Sequence, residues 1–120
     1  GNDCTILAVG GRMLSVASSL EKYGINAAVY SARSVKPLDE NVLKNLSGYV
    51  FTLEENSLIG GFGSAVCEYA MNNDLGVKIK TFGLKDEFVR HASIERQFEF
   101  NGLDEKSVSD EILKILSKRN

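Results

Sequence analysis

The sequence predicts a three-layer α/β/α sandwich with a mostly parallel sheet. Two observations lead to this fold class: short apolar runs alternate with stretches of helical periodicity, and the connections between them are short. Consecutive strands in such a chain are expected to be joined by right-handed crossovers. A length of 120 residues is sufficient for one domain with its own core, so residues 1–120 are predicted to form a single unit.

The predicted strands are short runs of apolar residues. Residues 5–9 are followed by two glycines, which is typical of a strand buried on both faces of a parallel sheet. Residues 27–30 and 49–53 are predicted as the second and third strands. Residues 77–82 alternate between lysine and apolar side chains, and this alternation favours a position at an edge of the sheet.

Helices are predicted between and after these strands. Apolar spacing predicts a first helix from Arg12 that ends at Gly24. Asp39 is predicted to cap a short helix, and a longer helix is expected after Gly63. Asp104 is predicted to cap the last helix, whose inward residues are Val108, Ile112, Ile115 and Leu116.

Composition excludes several functional classes. The net charge of −2 provides no basic surface for nucleic acid, and the apolar runs are too short to span a membrane. Cys4 and Cys67 form no Cys-x-x-Cys motif, and the single histidine cannot complete a metal site with them. We therefore expect two core thiols in a reduced cytoplasm, with a disulfide or redox role as the lesser alternative.

Three loops are expected to meet where the strands end, which is where open α/β sheets bind ligands. They comprise residues 10–12, 53–63 and 82–86. Gly10 and Gly11 allow a tight turn, and Arg12 places a positive charge beside a helix N-terminus that could attract an anion. A glycine pair after a strand more often serves turn geometry alone, and no P-loop or dinucleotide fingerprint is present.

The second of these loops carries the most informative residues. Glu54 and Glu55 are adjacent, so on a strand their side chains would face opposite sides, and they do not form a ready acid/base pair. We expect one of them to hold the following glycine loop through backbone N–H groups. The cluster Gly60-Gly61-Phe62-Gly63 favours a helix-start turn or a tight subunit contact over a ligand site, with Phe62 as a candidate interface anchor.

Residues 84–102 show no regular pattern and are long for a connection, which makes them a candidate functional or interface segment. They contain Asp86 and His91. A histidine without a positioned partner is more often a surface or interface residue than a general acid or base.

The chain resembles the C-terminal domain of transketolase-type, thiamine-diphosphate-dependent enzymes. Three segments carry the resemblance: Val35-Lys36-Pro37-Leu38-Asp39, Leu53-Glu54-Glu55-Asn56 and Gly60-Gly61-Phe62-Gly63-Ser64. The segment from Gly83 to Phe88 with His91, followed by Gly102-Leu103-Asp104, is most similar to 1-deoxy-D-xylulose-5-phosphate synthases. Lys85 and Ala92 depart from the Pro and Gly usual in that family.

The resemblance implies a domain that completes the fold and the homodimer of a larger enzyme. It implies that the diphosphate of thiamine diphosphate and Mg²⁺ bind to the N-terminal domain of the same enzyme and that the middle domain supplies the glutamate that activates the cofactor, with no catalytic, cofactor or metal residue in this chain. The resemblance also implies an antiparallel edge strand ahead of residue 5, which this chain would lack. One sheet edge would then carry unpaired backbone groups.

Other functions are consistent with the same pattern. The parent enzyme could be a transketolase or a 2-oxo-acid dehydrogenase β subunit, and the chain could belong to a natural split subunit. A free-standing flavodoxin-like binding module is a further alternative, although it would need a phosphate loop richer in Ser and Thr than residues 10–15. A response-regulator receiver is excluded, because glycines stand where it needs acids to bind Mg²⁺.

Overall fold

The computed structural model describes residues 3–32, 40–57, 61–84 and 93–118. Within these ranges one four-stranded sheet has the order β2-β1-β3-β4, and every neighbouring pair is parallel. The strands are β1 (Cys4–Val9), β2 (Ala27–Ala32), β3 (Tyr49–Ser57) and β4 (Lys78–Leu84). The helices are α1 (Gly11–Ser19), α2 (Glu40–Leu43), α3 (Phe62–Asn72), α4 (Ile94–Phe100) and α5 (Glu105–Leu116), and a 3₁₀ turn (Leu20–Tyr23) follows α1.

Side-chain alternation along the strands divides the core between the two faces of the sheet. Cys4, Ile6 and Ala8 of β1 pack into a first cluster with α1, α4 and α5. Leu7 and Val9 pack into a second cluster with α2 and α3 on the opposite face. The predicted three-layer α/β/α sandwich with a parallel sheet is therefore confirmed.

Several local predictions are confirmed. Helix α1 and its 3₁₀ extension end at Gly24, which has φ of 84° and can adopt this left-handed conformation because it has no side chain. Asp104 caps α5 by accepting a hydrogen bond from Ser107 N at 3.1 Å. The last strand, β4, lies at a sheet edge as its alternating pattern predicted.

Two elements differ from the sequence prediction. Strand β3 does not end at Leu53; it continues to Ser57, so Glu54 and Glu55 lie within the strand. The polar residues continue the strand because Glu54 stays in register with Val9 of β1, while the pairing with β4 shifts beyond Leu53. The region 84–102, predicted to be irregular, contains α4.

Helix α4 was missed because its apolar signal is short. Within its seven residues Phe98 is the buried anchor in the first cluster. Its start is marked by Ser93, whose hydroxyl accepts a hydrogen bond from Arg96 N at 3.2 Å.

Some predicted features lie outside the described residues. These are the turn at 35–39 with its cap Asp39, and the candidate site residues Gly60, Asp86 and His91. The antiparallel edge strand is not among the strands formed by the described residues.

Candidate functional site

The strand order places the topological switch point of the sheet between the carboxyl ends of β1 and β3. From β1 the chain leads to β2 on one side and to β3 on the other, and this divergence is where open α/β sheets bind ligands. Val9, the last residue of β1, pairs with Glu54, and the turn at Gly10 follows directly. The adjacent Glu54 and Glu55 therefore lie at this switch point.

Glu55 binds the N-terminus of α1. One of its carboxylate oxygens accepts hydrogen bonds from Arg12 N at 2.6 Å and from Met13 N at 3.1 Å. Helix α1 has no cap from its own N-cap residue, Gly10, so this carboxylate from another strand satisfies two of its free N–H groups. Gly10 has φ of 101°, and a Cβ there would collide with the Glu55 side chain. Glycine is thus favoured here by its backbone conformation, and a side chain would also push the Glu55 carboxylate away from the N-terminus of α1.

Glu54 binds the N-terminus of α3 on the opposite face of the sheet. Its carboxylate is fully buried, and it accepts hydrogen bonds from Phe62 N at 2.8 Å and from Gly63 N at 3.0 Å. The N-terminus of a helix carries a partial positive charge, which stabilises a buried carboxylate that has two N–H partners.

Gly63 allows α3 to approach the sheet closely enough for these bonds. A Cβ at Gly63 would lie 2.7 Å from Thr81 Cγ2 and 2.8 Å from Thr52 Oγ1, both closer than real Cβ contacts. The Thr52 hydroxyl is buried in this place and makes no hydrogen bond within the described part of the chain.

The predictions for the glutamates are therefore confirmed and extended. The two side chains do face opposite sides, and Glu54 holds the glycine loop through backbone N–H groups. Glu55 does the same for α1, which the sequence did not indicate. Both carboxylates are engaged in helix capping, and an anion at the N-terminus of α1 would have to displace Glu55. This geometry disfavours phosphate binding by residues 10–12.

Arg12 is directed toward α4. Its guanidinium lies 3.5 Å from a carboxylate oxygen of Glu95 and 4.8 Å from the centre of the Phe98 ring. Arg12 is the second residue of α1, so these contacts join α1 to α4 on the face of the sheet that carries the first cluster. The sequence could not indicate this partner, since α4 itself was not predicted.

Phe62 is part of the domain core. The side chain is 4% exposed and packs in the second cluster with Leu7, Val50 and Val66. An interface anchor needs an accessible side chain, so the described structure gives Phe62 a packing role in place of the expected anchoring one. Gly61 is buried beside it as the N-cap residue of α3.

Among the described residues there is no group of side chains suited to a metal ion, no disulfide and no membrane-spanning helix. In the ranges that the structure describes, no three His, Cys, Asp or Glu residues come together in an arrangement that could bind a metal ion. Cys4 and Cys67 are not joined by a disulfide; Cys4 is buried, and burial raises the pKa of the half-buried Cys67 thiol. No helix in the described ranges is long and apolar enough to cross a bilayer.

Comparison with protein families and known structures gives a consistent result. The model of the family described as "Transketolase, C-terminal domain" matches residues 1–108. A 1-deoxy-D-xylulose-5-phosphate synthase from Gloeothece citriformis is 40% identical over 98% of this chain, and one from Halothermothrix orenii is 39% identical over 99%. The chain spans 20% of the length of each of these relatives.

Two further relatives are associated with divided transketolases. A "Putative transketolase C-terminal section" from Methanocaldococcus jannaschii is 33% identical over 98% of this chain, which spans 38% of that protein. The solved structure of a "Split gene transketolase, inactive beta4 tetramer" superposes with a TM-score of 0.81 at 34% identity. It covers 100% of this chain, which spans 41% of that one.

Proposed function

Because this chain belongs to the transketolase C-terminal domain family, we propose that it is the C-terminal domain of a thiamine-diphosphate-dependent 1-deoxy-D-xylulose-5-phosphate synthase. The parent enzyme would condense pyruvate with glyceraldehyde 3-phosphate and release carbon dioxide, in the cytoplasm, for isoprenoid precursor synthesis. One observation carries the proposal: relatives with this name are 39–40% identical over nearly the whole chain.

In this proposal the domain assembles the enzyme and does not perform its chemistry. Glu54 and Glu55 are committed to helix N-termini, and the described residues offer no group of metal-binding side chains. The described residues therefore do not fit a site for Mg²⁺ and a diphosphate. Both would bind to the N-terminal domain of the same enzyme. That domain and the middle domain are the partners of this domain within a homodimer.

The two edges of the sheet differ in a way that supports a role within a larger protein. Strand β4 carries the exposed Lys78 and Lys80, and such charges discourage pairing with a further strand. Strand β2 has the sequence AAVYSA without any charge, and Tyr30 on it is 46% exposed. An open hollow of about 620 Å³ lies beside β2, lined in part by Ala17, Ile25 and Val29. We assign the β2 edge as the one that a further strand of the parent protein covers.

The proposal is tested by a product assay on the full-length parent. Purified enzyme is supplied with pyruvate, glyceraldehyde 3-phosphate, thiamine diphosphate and Mg²⁺, and deoxyxylulose phosphate is measured. Its formation supports the proposal. Ketol transfer between sugar phosphates without this product would assign the parent to transketolases instead.

A second candidate is the C-terminal domain of a transketolase subunit encoded by a split gene. The specific observation in its favour is the similarity to the split-gene structure and to the Methanocaldococcus section. Ketol transfer that appears only when a separate N-terminal subunit is added would support this candidate.

The binding-module alternative is tested on the isolated chain. We expect no heat of binding for thiamine diphosphate, a flavin or a nucleotide in titration calorimetry, because internal carboxylates occupy the helix N-termini at the strand ends. Saturable binding of any of these ligands at micromolar levels would contradict the assembly role.

A further inference from the structure

We propose that Asn101 is a site of covalent modification, where the side-chain amide is lost by reaction with the backbone nitrogen of Gly102. Asn101 ends α4 and Gly102 starts the turn to α5. Glycine leaves the nitrogen sterically accessible, because no side chain shields it from the asparagine side chain. The structure further indicates that opening of the last turn of α4 controls the reaction.

The folded structure holds both reacting groups in hydrogen bonds. Asn101 Nδ2 donates to the carbonyl of Gln97 at 2.7 Å, which fixes the side chain against the end of the helix. Gly102 N donates to the carbonyl of Glu99 at 3.0 Å. The attacking nitrogen and the target amide are therefore occupied with different carbonyl groups, and they become free to meet only when these bonds open.

Helix α4 is suited to such opening. It contains seven residues, which is below the length at which an isolated helix is stable in water. Its C-terminal Phe100 is 55% exposed and so contributes little packing at this end. Short elements with few buried contacts belong to the regions that open most readily.

Asn73 at the end of α3 provides a near twin within the same chain. Its Nδ2 donates to the carbonyl of Tyr69 at 2.9 Å, and its backbone N donates to the same carbonyl at 3.1 Å, as Asn101 N does to Gln97. The two asparagines differ in the next residue, which is Asp74 after Asn73 and Gly102 after Asn101. They also end helices of different length, 11 residues in α3 and seven in α4, a difference that urea removes.

The reaction is balanced without any oxidant or cofactor. Gly102 N gives up its proton to solvent and attacks Cγ of Asn101, forming an N–Cγ bond. The Cγ–Nδ2 bond breaks, and the amide nitrogen leaves as ammonia with a proton from water. Water then opens the resulting succinimide ring at either carbonyl, which leaves aspartate or isoaspartate at position 101.

The product would weaken the corner between α4 and α5. It lacks the Nδ2 donor that satisfies the Gln97 carbonyl, and it places a negative charge at the C-terminus of a helix, where the helix dipole disfavours it. Asn101 and Gly102 also line an open groove along β4 with Lys80 and Glu111. Modification would thus change the charge of this groove.

The test follows both asparagines in the 120-residue chain during incubation at mildly alkaline pH, with peptide mapping by mass spectrometry and isoaspartate detection. We expect conversion at Asn101 before Asn73, in native buffer and in urea. The Asn101 reaction should be at least about tenfold slower in native buffer than in urea. A tenfold difference corresponds to a free energy of about 1.4 kcal/mol for opening the end of α4.

Exchanging the following residues provides matched controls. Gly102→Asp recreates the Asn-Asp pair of α3, in which Asp74 adopts a φ of 51°, and should slow Asn101 to the rate of Asn73. Asp74→Gly should accelerate Asn73. Equal rates at Asn101 and Asn73 in urea would overturn the assignment of the site, and equal rates for Asn101 with and without urea would overturn the control by helix opening.

Discussion

Replacing the Glu54 carboxylate by an amide tests whether this buried group holds α3 against the sheet. Glu54→Gln keeps the size of the side chain but turns one acceptor into a donor, which then faces Phe62 N or Gly63 N. A hydrogen bond to a charged group contributes about 1.5–3 kcal/mol, and a buried donor left without a partner costs about 1–3 kcal/mol. These two contributions partly overlap, so we expect a loss of about 3 kcal/mol in the free energy of unfolding.

Glu55→Gln is the matched control. It makes the same chemical change one residue later, where the carboxylate is only partly buried and water can replace a lost bond. We expect this variant to lose about 1 kcal/mol, as for an exposed helix cap.

Urea denaturation followed by circular dichroism measures both changes. With a slope of about 1.5 kcal/mol per molar urea, the midpoint should fall by about 2 M for Glu54→Gln and by less than about 1 M for Glu55→Gln. Equal midpoints for the two variants would refute the conclusion that the buried carboxylate dominates.

Four further predictions follow from the same structure, each measured by urea denaturation of the 120-residue chain. Gly63→Ala should lower the free energy of unfolding by about 2–3 kcal/mol, because its Cβ would overlap Thr81 and Thr52. The control Gly11→Ala should be neutral or slightly stabilising, because its Cβ meets no atom within 4 Å. Equal effects of the two substitutions would contradict the close approach of α3 to the sheet. Thr52→Val should be neutral or stabilising by up to about 1 kcal/mol, since its buried hydroxyl has no partner among the described residues, and a clear loss of stability would reveal one. Phe62→Ala should cost about 3–5 kcal/mol of domain stability, and a cost below about 1 kcal/mol would contradict its place in the core. Partial burial alone would raise the pKa of Asp104, but the hydrogen bonds from Ser107 outweigh it and lower the pKa. Asp104→Ala should therefore cost about 1 kcal/mol at neutral pH. This difference should begin to fade below about pH 4, where the unfolded-state carboxylate becomes protonated, and should be lost as the pH falls through the lower folded-state pKa. A difference that stays constant down to acidic pH would contradict the role of the charge.

The fold was largely predictable because its signals are local. Continuous apolar runs identified the buried strands, and the lysine alternation of residues 77–82 indicated the edge position of β4. Glycine after the first helix and aspartate before the last one marked their ends through known capping preferences.

The site was only partly predictable, because it depends on contacts between distant residues. The opposite orientation of Glu54 and Glu55 follows from strand geometry alone. The partner of Glu55 does not, since α1 lies 42–43 residues earlier in the chain and only the β1–β3 pairing brings them together. Phe62 illustrates the opposite case: its position among glycines suggested an interface anchor, whereas its side chain is buried at the end of α3, next to Gly63, where the helix closely approaches the sheet.

The most direct test of the assembly role compares the full-length parent enzyme with a version that lacks this domain. Sedimentation equilibrium gives the oligomeric state, and the pyruvate and glyceraldehyde 3-phosphate assay gives the activity. We predict that removal of the domain abolishes both the dimer and the formation of deoxyxylulose phosphate. A truncated enzyme that remains dimeric and fully active would contradict the assembly role.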